Sequence, residues 1–538
     1  MSETRGGAPK HEPITDPQIL DARLLPSALT CWGVTILAVA SGWRTGLIVA
    51  AVLLLSSIVL GAWMFRRRAV GTQGVAPEGR VDVGARRVAA EGRVDVGMRR
   101  VAAAVLAALL LGTGFACAAS WQQYCTATHP LRAAAPGTYL TVVVVPTDDP
   151  KPLPAKPFGG RRWMLRAELR EYQHGEVAVS TGGSVVVLLR ENQQALLPGQ
   201  PVRLRVRLDR PWRNDLTLAV LRAEGPPTPV GTAPWWQRVA GTVRTRLAEA
   251  ATRVLPPDAA GLLPGLVDGD ISHLSDEVRE NFKQTDLTHL IAVSGTNVTI
   301  ILAAVLLSVR AATVDLRWGV LLSVLALVMF VILARPSPTV LRAAVMGAIA
   351  VLAVITGRRK QALPALCAAV IGLIALSPAL ALDIGFALSV FATAGLVLLA
   401  PGWSQWLENH GWHHIPAEAF SVATAAFLLT IPMIAALTGH IGPLAILANV
   451  LVEPVIAPLT ILGTLAAILC CPYPPAADAV LWLTGPPLRW LLFVSERGAS
   501  LNISLSVPSG LTGGLAVASV VAVLLALFAR EVRSPPDE

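Results

Sequence analysis

GLIVAAVLLLSSIVLGAWMF, residues 46–65, runs for twenty residues without one charged side chain. An α-helix rises about 1.5 Å per residue, so this run is as long as the ~30 Å hydrocarbon core of a bilayer. Further runs at 101–119, 338–356, 362–380 and 510–529 reach or approach the same length. Of the 538 residues, 54% are hydrophobic and 15% charged, against about 25% charged in soluble domains. These values exclude a soluble enzyme, a fibrous protein and a disordered chain. The expected fold is a polytopic α-helical membrane protein of about 11–12 transmembrane helices.

Residues 1–27 are largely polar and contain four prolines, so no cleavable signal peptide is expected and the first membrane helix is the targeting signal. Spans near 28–42 and 46–65 form a pair. Arg66-Arg67-Arg68 follows, then a tandem repeat, GRVDVGARRVAAE and GRVDVGMRRVAAA, over 79–104. Nine arginines lie between 66 and 100. Lys/Arg excess marks cytoplasmic loops, which puts 66–100 inside, and the repeat reads as an extension of the third helix (101–119). The six cysteines form no metal pattern, and no metal or cofactor is expected. Cys117 and Cys125 flank the third helix's exit, where an oxidising exterior would permit a disulfide between them.

Residues 120–235, placed outside, change character. TYLTVVVV (138–145), RWMLRAEL (162–169), SVVVLL (184–189), VRLRVRL (202–208) and DLTLAVL (215–221) read as short strands. Five of them in about 90 residues fit a small extracytoplasmic barrel of the OB type. The segment carries 14 Lys+Arg against 9 Asp+Glu. Arg203, Arg205 and Arg207 share one face of their strand, either as a ridge that tracks a phosphate backbone or as a solvated surface. Pro234-Trp235-Trp236 then opens an amphipathic, interfacial stretch over 236–285.

The remaining block, 286–530, reads as spans near 286–309, 318–334, 338–356, 362–380, 384–400, 418–438, 441–470, 476–495 and 510–529. With these, Arg310/Arg317, Arg358-Arg359-Lys360 and Arg530/Arg533 fall inside, as do residues 1–27 and the tail 531–538. A polar helix capped by Ser275 precedes the block. The chain then enters the membrane with His289, Ser294, Gly295, Thr296 and Asn297. Such a cluster is costly unless it lines water or a helix interface. Gly295 permits a break with backbone facing a wet cavity; close helix packing through Ala292, Ser294 and Gly295 is the alternative.

HLIAVSGTNV (289–298) resembles the signature of the ComEC-type competence proteins. GLLPGLVDGD (261–270), with Asp268 and Asp270, resembles that family's glycine-rich leader. SPTVLRAAVMGAIAVLA (337–353), SPALALDIGFALSVFATAGL (377–396) and ANVLVEPVIAPLTILG (448–463), which contains Asn449, resemble its later elements in order. Asn297 stands where many members carry His. The chain stops eight residues after Arg530 without a His-x-His-x-Asp-His run, so the metallo-β-lactamase-like domain of many members, and with it nuclease activity, is not expected. His410, His413 and His414 lie among tryptophans and read as an interfacial loop.

The resemblance implies a channel for single-stranded DNA in the cytoplasmic membrane of a bacterium, not an enzyme. It would work with an external DNA receptor, a separate nuclease and a cytoplasmic ATP-driven motor, since no P-loop sequence occurs; oligomeric state is left open. A strand crossing ~30 Å would hold roughly nine phosphates, so a wet, partly basic lumen is required. Arg335 and Arg342 are candidates for it, seven residues apart and on one face if their helix starts before Pro338. The alternative for Arg342 is a pair with Asp383. A membrane-embedded glycan or lipid transferase using Asp268 and Asp270 and a small-solute transporter with a broken-helix site are the competing functions. The topology is checked by cysteine labelling in a cysteine-free background: thiols introduced at 150 and 200 should react from outside intact cells, and reaction only after lysis would contradict it.

Overall fold

The computed structural model describes residues 21–71, 84–153, 162–174, 177–190, 196–213, 215–291, 293, 295–313, 315–335, 338–355, 362–501 and 503–533. Ala292, Ser294, the Arg358-Arg359-Lys360 cluster and the extreme termini lie outside them. Three helices open the chain: α1 (Leu25–Ser41), α2 (Trp43–Gly71) and α3 (Gly84–Ala127). The repeat does continue into the third helix, which is unbroken from Gly84. That continuity corrects one expectation. Cys117 and Cys125 are free thiols eight residues apart on one helix, about 12 Å along its axis, and a disulfide needs Cα atoms within about 7 Å.

The barrel comprises β1 (Tyr139–Pro146), β2 (Lys151–Pro152), β3 (Trp163–His174), β4 (Val177–Leu189), β5 (Val202–Asp209), β6 (Ala219–Ala223) and β7 (Thr228–Pro229). Its order is β1-β3-β4-β6-β5, closed by a β1–β5 ladder. All these pairings are antiparallel except β4 with β6, which is parallel. This is OB topology, so the fold is a polytopic helical membrane protein with a small OB-like barrel. Alternation builds it: Val202, Leu204, Val206 and Leu208 are buried while Arg203, Arg205 and Arg207 point out, and closing the sheet leaves no long free edge.

After the barrel come α4 (Trp235–Val254), α5 (Pro257–Val267), α6 (Asp276–Gln284), α7 (Thr288–Ile291), α8 (Gly295–Ala311), α9 (Leu316–Ala334), α10 (Pro338–Ile355), α11 (Ala362–Leu376), α12 (Ile384–Leu398), α13 (Ala400–Asn409), α14 (His414–Thr438), α15 (Ala445–Leu469), α16 (Pro474–Ser500) and α17 (Leu511–Arg533). A two-stranded ribbon, β8 (His440–Ile441) with β9 (Leu505–Ser506), ties the start of α15 to the start of α17. Among the described residues seven helices are long and apolar enough to cross a membrane, and four shorter helices are apolar too. With the more polar α16, each expected span has its helix. Ser275 caps α6, its Oγ accepting from Val278 N–H at 3.3 Å.

Two expected spans are drawn differently. The 286–309 span is interrupted, because Asp286 adopts φ +56° after α6 and the chain breaks again between α7 and Gly295. The 441–470 stretch, long enough for a break, is instead one helix from Ala445 through Pro454 and Pro458.

Candidate functional site

Three backbone irregularities meet where the barrel rests on the helices. The first is the leader loop after α5. Gly269 turns with φ +80°, and a methyl group there would lie 3.3 Å from Val293 Cγ2 and 3.8 Å from the Ala334 carbonyl. The second is the α7–α8 break around Val293. The third is the end of α9, where Arg335 takes φ +62°. Glycine at 265 and 269 therefore lets the leader lie against both other segments.

Charge fastens this junction. Arg244 of α4 donates from Nη1 to the carbonyls of Asp268 (2.7 Å) and Leu333 (3.0 Å), and from Nη2 to Asp149 Oδ2 (3.0 Å). Its Nη1 is also 3.7 Å from Asp268 Oδ1. Arg335 pairs with the other oxygen of Asp149. The arginine side chains are only 7% and 6% exposed. A single carboxylate from the β1–β2 loop of the barrel thus serves two buried guanidiniums from the helical domain.

Asp268 is fully buried, and burial pushes its carboxyl up to about 6 despite the neighbouring Arg244. Its Oδ1 accepts from Asp270 N–H at 2.9 Å, while Asp270 itself caps Ser272. One oxygen of each, Oδ1, holds the loop, and the complete burial of Asp268 keeps it from serving as the exposed acid that a transferase would use. Arg335 and Arg342 do not share a helix face: α10 begins at Pro338, a residue suited to a first helical turn, and Arg335 belongs to the end of α9.

Arg342 does not pair with Asp383 either. Asp383 caps α12, accepting from Phe386 N–H at 2.8 Å, and its other oxygen lies 3.5 Å from Arg166 of β3. That contact is a second bridge from barrel to helices. Arg342 instead donates from Nη2 to Ser389 Oγ and from Nη1 to Thr393 Oγ1 (2.8 Å), with Met346 Sδ at 3.4 Å. Opposite stands the first residue of α8, where a methyl group on Gly295 would lie 3.4 Å from Arg342 Nη2.

The signature's other polar residues diverge. Asn297 is buried and donates to the Leu266 carbonyl at 3.0 Å, tying α8 to the leader. Thr296 is exposed. His289 Nδ1 lies 3.1 Å from the Asp286 carbonyl, and Asn449 donates to Ala445 O one turn back (2.8 Å). Ser294 lies outside the described residues. Sequence reasoning missed Arg244, Asp149, Ser389 and Thr393. Ser389 sat inside a quoted motif, but only the fold shows that its hydroxyl meets Arg342.

Two changes test the junction. Asp149→Asn leaves buried Arg335 without its carboxylate and Arg244 with only the more distant one of Asp268, and it should cost about 3 kcal/mol, the low end for a broken buried pair because Asp149 is partly exposed. Asp268 titrates higher folded than unfolded, so its contribution favours the fold below about pH 4 and is lost as pH rises through about 6. The difference is about 3 kcal/mol. Thermal unfolding of Asp268→Asn between pH 4 and 7 should lack that slope; an unchanged slope would refute the assignment.

The competence protein family matches residues 266–533, about half of the chain. ComE operon protein 3 of Bacillus subtilis (strain 168) is 27% identical over 164 residues, which is 30% of this chain. The chain covers 21% of that relative's length in the match. No solved structure matches. The matched region starts in the leader and includes the helix break, Arg335, Arg342, Asp383 and Asn449, and the chain belongs to the ComEC-type competence protein family.

Proposed function

We propose that this chain takes part in DNA uptake by passing single-stranded DNA through its helical domain, across the cytoplasmic membrane of a bacterium. The observation that carries the reading is the seat of the OB-like barrel. It is held by Asp149 and Arg166 on helix ends that the Lys/Arg distribution puts outside, directly beside the α7–α8 break. A barrel at that mouth offers the outward ridge of Arg203, Arg205 and Arg207 to an incoming strand. Gly295, Thr296, Arg335 and Arg342 line or border the path below it. An external DNA receptor, a separate nuclease and an ATP-driven motor in the cytoplasm are the partners this reading calls for.

The broken helix also fits a small-solute transporter, so the test separates the two. The purified full chain in lipid vesicles, under a membrane potential positive inside, should accumulate labelled single-stranded DNA in nuclease-protected form and leave small solutes behind. Neutralising Arg203, Arg205 and Arg207 together should weaken strand binding and reduce its salt slope by about 2 if each meets one phosphate. Solute flux without DNA entry would overturn the proposal.

A further inference from the structure

Helix α4 has two opposite faces. Inward, Ala240, Arg244, Leu247 and Ala251 are buried. Outward, Trp235, Arg238, Thr242, Arg246, Glu249 and Arg253 follow at intervals of three or four residues and form one exposed stripe. Trp235 and Val239 beside it are 64% and 56% exposed. Arg253 is answered by Asp478 at 2.9 Å, but among the described residues Arg238 and Arg246 have no carboxylate within ion-pair distance. Glu249 is the stripe's single acid, so the stripe stays net positive.

The place of the helix tells what covers this stripe. α15 is long and apolar enough to cross a membrane, and Ile461, Leu465 and Ile468 expose an apolar row along it up to its end. Just past that row, Cys470 Sγ lies 3.6 Å from the Val243 carbonyl of α4. Further along α4, Arg253 holds Asp478 near the start of α16. α4 therefore runs across the end of the α15–α16 hairpin, at the level where hydrocarbon gives way to headgroups. Tyr473 and Trp482 are exposed at that same end of the hairpin, as aromatic residues of the membrane interface are.

Two arginines without acids, on a helix lying in the interface plane, suit a headgroup of net negative charge. A phosphate ester can accept two hydrogen bonds from one guanidinium. A zwitterionic lipid brings its own cation to compete for that phosphate, whereas an acidic lipid does not. We propose that the outer stripe of α4 docks on acidic phospholipid at the membrane surface, with Arg238 and Arg246 binding headgroup phosphates and Trp235 and Val239 entering the acyl boundary. This is independent of what the chain transports. It also links the lipid to the barrel, because Arg244 leaves the opposite face of the same helix to hold Asp149.

The test uses the full chain, cysteine-free apart from Val239→Cys, which carries a small fluorophore. It is reconstituted in phosphatidylcholine vesicles with a trace of nitroxide-labelled lipid, either phosphatidylglycerol or phosphatidylcholine, the nitroxide sitting on the acyl chain near the glycerol. Phosphatidylglycerol should reach the fluorophore with an apparent association roughly twenty-five times that of phosphatidylcholine, about fivefold for each arginine at the charged surface. Arg238→Gln combined with Arg246→Gln should remove the preference and leave quenching by phosphatidylcholine as it was. If the double variant does not fold, each single change should cut the preference about fivefold, and single changes without effect overturn the proposal. Equal quenching by the two lipids with both arginines present, or a preference that survives their loss, also overturns it. Quenching by neither lipid does so too, and shielding of the fluorophore from aqueous iodide by single-stranded DNA would then assign the stripe to nucleic acid.

Discussion

The carboxylate of Asp149, set between the guanidiniums of Arg244 and Arg335, is the contact on which the arrangement of the two domains depends. Each arginine is nearly enclosed, and an enclosed guanidinium without a partner would cost several kcal/mol. The fold therefore keeps the barrel's β1–β2 loop in place for as long as α4 and the end of α9 stay where they are. Arg244 extends the constraint by bonding the carbonyls of Asp268 and Leu333, so one side chain fixes the leader loop, α9 and the barrel together. Arg166 against Asp383 supplies the second point needed to set orientation as well as position.

Beneath that clamp, the helical domain departs from regular structure in a small area: the turn at Asp286, the break before Gly295, and the left-handed residue Arg335. In hydrocarbon, irregular backbone survives only where protein or water satisfies it. Here the leader loop does part of this work, with the Leu266 carbonyl accepting from Asn297 and Gly269 packed on Val293. The family signature and its glycine-rich leader are thus two halves of one packing unit, and their separation by about twenty residues of chain reflects the intervening α6.

Local patterns were legible in the sequence. Apolar length gave each membrane helix, and strict alternation in VRLRVRL gave both the strand and the face its arginines occupy. The Ser275 cap was readable from residue type, whereas a break near Gly295 was one of two readings those residues left open, the other being close helix packing. What could not be read were choices among distant partners. Asp383 has a single carboxylate and two cationic neighbours in prospect, and the fold gives it Arg166, 217 residues away, and a capping role. Arg335 and Arg342 have helical spacing, but Pro338 starts a new helix between them. Cys117 and Cys125 looked like residues on either side of a helix end until α3 continued to Ala127.

On the proposed function, a strand passes the barrel and enters beside the start of α8. The most direct measurement places a photoreactive side chain at the exposed Thr296 and, as a control, at Leu321, an exposed apolar position on α9, and irradiates while labelled single-stranded DNA is in transit. A DNA adduct should form at 296 and none at 321. Equal crosslinking at both, or adducts at 321 alone, would contradict it.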